Sequence, residues 1–262
     1  MVGLDCHLIL RSEIPDEDPS YVGNLLFSRS CGATIHQCSV AEYGSHGSAK
    51  LLDSLEATLT AEGKKPYVIP VGGSNSVGTW GYIEGCAELK RQIDAGEVEP
   101  VDKIVLACGS GGTAAGIAQG LKLAFGEETM PRLYPVCVCD NEAYFYNEMA
   151  SILTEMGYYA SRDSARAFLE EKVSIINGRG AGYGISRAEE IEFISDFART
   201  SGVLLDTCYT GKALFKFCAE VAKGRVEGGG NLMFWHTGGG LGTFKEGLTL
   251  EEKFVPAKRM VI

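Results

Sequence analysis

Short apolar runs alternate with longer amphipathic ones along most of the chain. Six runs, Leu4–Leu10, Thr34–Cys38, Tyr67–Val71, Lys103–Cys108, Leu133–Cys139 and Asn231–His236, are closed by Gly, Pro, Ser or Asp and predict strands. Most are apolar at consecutive positions, as parallel strands buried on both faces are. Between them, helical periodicity predicts Pro19–Cys31, Gly47–Glu62, Val77–Ala95 and Thr113–Phe125, then Glu142–Met156, Arg187–Thr200 and Gly211–Lys223. Asp18 is expected to cap the first of these, with Pro19 in its first turn and Gly32 as its stop. The alternation predicts an α/β fold of open parallel sheets in three layers, α-β-α.

There is no internal repeat and no low-complexity tract. The expected junction is the glycine-rich turn "VGGSNSVG", Val71–Gly78, which divides a partial smaller α/β domain, 1–76, from a larger one, 77–262. At 262 residues and 45% hydrophobic, the chain is long and apolar enough to bury a large core in one or two domains.

Charge narrows the function. A net charge of −10, with 24 Lys and Arg scattered along the chain, disfavours a nucleic-acid groove, which needs a clustered basic face. No apolar run reaches the roughly 18 residues of a membrane span, and residues 1–20 carry five acidic side chains where a leader would be basic and apolar. The expectation is a soluble, cytoplasmic protein with no nucleic-acid or membrane partner. Nine cysteines form no CxxC pair and no metal-like spacing with the four histidines, and are expected to be buried, reduced thiols.

In an open α/β sheet, ligands gather at the C-terminal ends of the strands. Four polar or glycine-rich loops fall there: Gly72-Gly73-Ser74-Asn75, Gly109-Ser110-Gly111-Gly112-Thr113, Tyr209-Thr210-Gly211-Lys212 and His236-Thr237-Gly238-Gly239-Gly240. The second presents backbone N–H groups at a helix start together with two hydroxyls, which suits a phosphate monoester; a plain tight turn is the alternative. Gly109-x-Gly111-x-x-Ala114 also satisfies a dinucleotide fingerprint, with Asp140 placed to meet a ribose. Against that rival, Thr113 puts a hydroxyl where such a helix packs small apolar residues.

Seven segments together resemble the pyridoxal-phosphate enzymes of fold type II, the tryptophan synthase β-like fold, in the group of D-cysteine desulfhydrase and 1-aminocyclopropane-1-carboxylate deaminase. They are "GLDCHLILR" (3–11), "GNLLFSRSCGATIH" (23–36), "IPVGGSNSVGTWGY" (69–82), "ACGSGGTAAG" (107–116), "GYGIS" (182–186), "LLDTCYTGKALF" (204–215) and "FWHTGGGLGTF" (234–244). The resemblance implies pyridoxal 5′-phosphate as cofactor, held in the larger domain with its phosphate wrapped by Gly109, Ser110, Gly111, Gly112 and Thr113. It implies Tyr209 and Tyr183 beside an amino-acid substrate, Thr210 against the pyridine nitrogen, and a homodimer.

A carboxylate at position 210 would hold the pyridine nitrogen protonated and make the ring a strong electron sink for ring opening. The neutral Thr210 hydroxyl suits simpler β-elimination and favours the desulfhydrase side. Thr210 can also cap the helix that starts at Gly211. His236 is expected to shape the pocket, Trp80 and Trp235 to pack, and Lys212 to make a surface or intramolecular charge contact.

Members of the group carry an Asn-Lys pair, whose lysine is the Schiff-base lysine, and a Gln-Ser-Asn-His turn. Neither occurs in these residues, which start inside what resembles the second strand unit of the smaller domain. The expectation is an N-terminally truncated lyase, impaired for want of its nucleophile and base, or else a non-catalytic remnant that binds pyridoxal phosphate or phosphate. Exposed apolar faces and open sheet edges are expected with it.

Overall fold

The computed structural model describes residues 3–19 and 21–243, which form two compact units. Among the described residues the first unit runs to Gly73 and the second starts at Ser74.

The first unit pairs β1 (His7–Ser12) in parallel with β2 (Thr34–Ser39), with Ile9 opposite His36. Helix α1 (Gly23–Ser30) joins the strands and α2 (Val40–Ala61) follows them. Asp18 does not cap α1. Its carboxylate pairs with the Arg29 guanidinium, and α1 starts four residues later than expected behind Val22, which offers no side-chain cap. Helix α2 starts seven residues early because Ser39 and Glu42 form a reciprocal capping box, and it kinks at Gly47. Tyr67–Val71 is not a strand. Pro66 and Pro70 remove two ladder donors, and Tyr67 lies 74% exposed. Among the described apolar side chains of this unit only Cys38 and Leu59 are buried, while Ile14, Tyr21, Ile69 and Val71 are more than half exposed.

The second unit has a four-stranded parallel sheet. Helix α3 (Trp80–Asp94) precedes β3 (Lys103–Cys108), α4 (Gly112–Phe125) and β4 (Arg132–Cys137). Helices α5 (Glu142–Glu155) and α6 (Arg162–Lys172) lead to β5 (Ile176–Asn177); α7 (Ala188–Ser201), α8 (Thr210–Ala222) and β6 (Leu232–Phe234) complete the order. The strands lie β5-β4-β3-β6.

Alternation along β3 divides the core. Ile104, Leu106 and Cys108 pack with α3, α4, α5 and α6, whereas Val105 and Ala107 pack with α7 and α8. Helices therefore cover both faces, which makes the predicted α-β-α layers. Helix α6 and the two-residue β5 were not expected. The apolar face of α6 is only Ala165, Phe168 and Leu169, set among charged neighbours.

The outer end of α8 carries an ion cluster. Hydrogen bonds from the Arg225 guanidinium, and then from Lys216 at 2.7 Å, hold the Glu220 carboxyl down to about 2. Its folded-state value lies below its unfolded one, so its stabilising contribution is complete above about pH 5 and fades as pH falls toward 2. Glu220→Gln should cost about 1 kcal/mol in urea denaturation at pH 6. The gap between the variant and the parent should narrow by pH 3; a gap that widens would contradict the assignment.

Candidate functional site

The site grows from the carboxyl end of β3, the strand flanked by β4 and β6. At Gly109 the chain leaves the sheet, turns through Gly111 at φ +93°, and enters α4 at Gly112. That backbone angle is reached cheaply by glycine alone. The first-turn N–H groups of α4 have no carbonyl partners within the helix and carry its positive dipole end, so they favour an anion.

Ser74 meets this turn. The Gly112 N–H donates to Ser74 Oγ at 3.1 Å, and Ser74 Oγ donates to Ser110 Oγ at 2.7 Å. An oxygen thus sits where a phosphoryl oxygen would accept from the helix end. A Cβ on Gly112 would lie 2.6 Å from that oxygen, so the close approach requires glycine. Thr113 stands in the same first turn. The resulting N–H and hydroxyl set fits a phosphate monoester, and with it the phosphate of pyridoxal 5′-phosphate.

The second component is the start of α8. The Tyr209 ring packs on Gly109, where a Cβ would come within 2.7 Å of Cε1. Its hydroxyl lies 2.5 Å from that of Tyr183, with the rings edge to face. Burial pushes both phenols above the ordinary tyrosine value, so both stay protonated at neutral pH. The structure therefore gathers Ser110, Gly112, Gly109, Tyr209 and Tyr183 around one strand-to-helix corner.

Thr210 opens α8 and is 1% exposed. Its hydroxyl donates to Asp206 Oδ1 at 2.6 Å and accepts from the Asp206 N–H at 2.9 Å. Asp206, 4% exposed, also accepts from the N–H groups of Cys208, Tyr209 and Thr210. Sequence reasoning assigned no role to Ser74 or Asp206. The available signals were a serine in a glycine-rich turn and an aspartate just ahead of a helix start.

Other candidates resolve as structure. The Gly238 N–H donates to His236 Nδ1 at 3.1 Å, so Nε2 carries the hydrogen and donates to the Leu204 carbonyl at 3.0 Å. Both nitrogens are engaged, and a general-base role is set aside. Lys212 is fully buried, not a surface contact; its Nζ donates to the carbonyls of Arg179 and Gly182 at 3.1 and 2.7 Å. Trp235 packs against the core as expected, but Trp80 is 52% exposed. Asp140 accepts from the Asn141 backbone N–H and side-chain amide.

Cysteines divide by position. Cys38, Cys86, Cys108 and Cys137 are buried, with burial pushing Cys86 up to about 12 and Cys137 up to about 11. Cys6, Cys31 and Cys218 are exposed, against the expectation for all nine. Among the described residues no group of three or more His, Cys, Asp or Glu could hold a metal ion, and no helix is long and apolar enough to cross a membrane.

Comparison with known proteins defines the class. The family model described as pyridoxal-phosphate dependent enzyme matches residues 1–238, and the chain belongs to that family. It is 43% identical over 247 residues to the mitochondrial bifunctional D-cysteine desulfhydrase/1-aminocyclopropane-1-carboxylate deaminase of Arabidopsis thaliana, covering 93% of this chain and 59% of that protein. It is 31% identical over 243 residues to D-cysteine desulfhydrase of Klebsiella pneumoniae strain 342, covering 91% and 69% respectively. The crystal structure of an ACC deaminase homologue superposes with a TM-score of 0.70 at 28% identity, covering 93% of this chain and 68% of the other. The chain thus spans less than two thirds of the plant relative's length. With a pyridoxal-phosphate family established, the nicotinamide or flavin reading of Gly109-x-Gly111-x-x-Ala114 with Asp140 is set aside.

Proposed function

We propose that these residues form the phosphate-and-ring half of the cofactor site in a D-cysteine desulfhydrase-like lyase. From D-cysteine the reaction yields pyruvate, ammonia and sulfide. The observation that carries the reading is the corner where Ser74 Oγ bonds both Ser110 and the Gly112 N–H at the start of α4.

In this reading Gly109, Ser110, Gly111, Gly112 and Thr113 hold the phosphate, Thr210 meets the ring nitrogen, and Tyr183 and Tyr209 border an amino-acid substrate. Bound pyridoxal phosphate supplies an electron sink for the charge left when the α-proton departs. The chain's own groups bind and orient. Helix α4 neutralises the phosphate through N–H groups and dipole, and the Tyr209 ring on Gly109 excludes water from the corner. The two phenols, protonated at neutral pH, share one hydrogen bond and leave one O–H to donate to the substrate.

The names of the relatives join desulfhydrase and deaminase activities, so the choice between them rests on Thr210. A hydroxyl, not a carboxylate, meets the ring, which suits expulsion of a β-leaving group better than opening of a cyclopropane. A homodimer is part of the same proposal. So is impairment of these 262 residues, which contain neither an Asn-Lys pair nor a Gln-Ser-Asn-His turn.

The test loads the chain with pyridoxal phosphate and supplies D-cysteine, L-cysteine and 1-aminocyclopropane-1-carboxylate in turn. The expected result is slow release of sulfide and pyruvate in equal amounts from D-cysteine alone, with borohydride leaving the protein mass unchanged. 2-Oxobutyrate from the cyclopropane substrate would favour the deaminase. A borohydride-fixed adduct would show that a lysine of this chain tethers the cofactor and would end the impairment reading. Tight cofactor binding with no turnover of any substrate would favour the non-catalytic alternative.

A further inference from the structure

Thr210 has a single hydroxyl proton, and the structure commits it. The Asp206 N–H donates to Thr210 Oγ1 at 2.9 Å, and the hydroxyl donates to Asp206 Oδ1 at 2.6 Å. Three backbone N–H groups, from Cys208, Tyr209 and Thr210, also point at the carboxylate. With every group around Asp206 a donor, the carboxylate acts only as acceptor, and reversing the hydroxyl would leave a buried oxygen without its proton. Gly239 packs on the other side, where a Cβ would lie 2.7 Å from Asp206 Oδ1, and the aspartate is 4% exposed.

What Thr210 has left to offer is one lone pair. A pyridine nitrogen without a proton is itself an acceptor and gains nothing from it; a protonated nitrogen donates to it. We propose that Asp206 is a positioning residue which, by taking the Thr210 proton, turns Thr210 into an obligate acceptor and so selects the coenzyme with its ring nitrogen protonated. This rests on the cofactor reading above and revises one expectation within it, because the neutral hydroxyl no longer implies an unprotonated ring. The carboxylate acts at one remove. It stabilises the protonated ring less than a direct ion pair would, which keeps elimination ahead of ring opening.

The test uses the 262-residue chain with pyridoxamine 5′-phosphate labelled with 15N in the ring, a probe that needs no lysine. The 31P spectrum reports whether the phosphate is seated, and the 15N shift reports ring protonation across a pH series. Relative to free probe, the bound ring should hold its proton more tightly by about tenfold, the worth of one charge-assisted hydrogen bond. Thr210→Val should abolish that gain while the 31P signal stays in its bound position. Thr210→Ser should restore it, which a merely structural role for the side chain would not do.

A seated phosphate with an unprotonated ring, or a Thr210→Val ring that keeps its proton as tightly as the parent, overturns the relay and leaves the site standing. No bound 31P signal removes the site reading and the relay with it.

Discussion

Gly112→Ala is expected to weaken binding of pyridoxal 5′-phosphate by about a hundredfold while the chain still folds. The added methyl would fall 2.6 Å from Ser74 Oγ and 2.9 Å from Ser74 Cα, and the second contact is backbone, which cannot swing away as a side chain can. Either Ser74 or the first turn of α4 must therefore move. Movement takes the Gly112 N–H, and the Ser110 hydroxyl that Ser74 positions, out of line with the phosphate, so about two charge-assisted hydrogen bonds to it are lost. At about 1.5 kcal/mol each, they correspond to roughly two powers of ten in affinity. Ser110→Ala removes one hydroxyl and leaves the backbone in place, so it should cost about tenfold. Calorimetric titration of each variant with pyridoxal phosphate, with inorganic phosphate as competitor and a thermal melt as the folding control, measures the series. Parent-like affinity in a folded Gly112→Ala chain would move the phosphate away from this corner.

This corner was legible in the sequence because glycine spacing is a backbone requirement, and backbone requirements are local. The same holds for β3 and β4, whose residues face helices on both sides of the sheet and so are apolar at consecutive positions. What the sequence hid is polar and non-local. Ser74 reaches Ser110 across 36 residues, and nothing in "GGSNS" says which loop it will meet. Asp206 was in view within "LLDTCYTGK", but its role depends on five bonds that exist only once α8 has formed and Gly239 has closed over it. Tyr67–Val71 failed in the opposite way. Its apolar content is that of a strand, yet a strand is defined by a paired neighbour, and Tyr67, Ile69 and Val71 stay exposed. Pattern reports what a segment could bury, whereas pairing decides whether it does.

Lys212 makes the intramolecular contact that was one of its two expectations, but its full burial was hidden, since lysine is almost never fully buried unless it is paired. In the first turn of α8 its charge also opposes the helix dipole, so the position is unfavourable unless the ammonium is satisfied elsewhere. The carbonyls of Arg179 and Gly182 satisfy it, and the Glu190 carboxylate lies against the same loop: a Cβ on Gly180 would be 2.8 Å from Glu190 Oε1 and 3.6 Å from Lys212 Nζ. The loop so anchored carries Tyr183 to its contact with Tyr209. Lys212→Ala should therefore cost about 3 kcal/mol, because it opens a cavity and strips the Arg179 and Gly182 carbonyls of a donor. Lys212→Met fills most of the volume but restores no donor, and should cost about 2 kcal/mol. Urea denaturation at neutral pH gives both values. Hydrogen exchange should show the amides of 182–185 opening faster in each variant, with the sheet unchanged. A Lys212→Met chain as stable as the parent would mean that the ammonium contributes volume alone, and the path from α8 through the loop to Tyr183 would lose its physical basis.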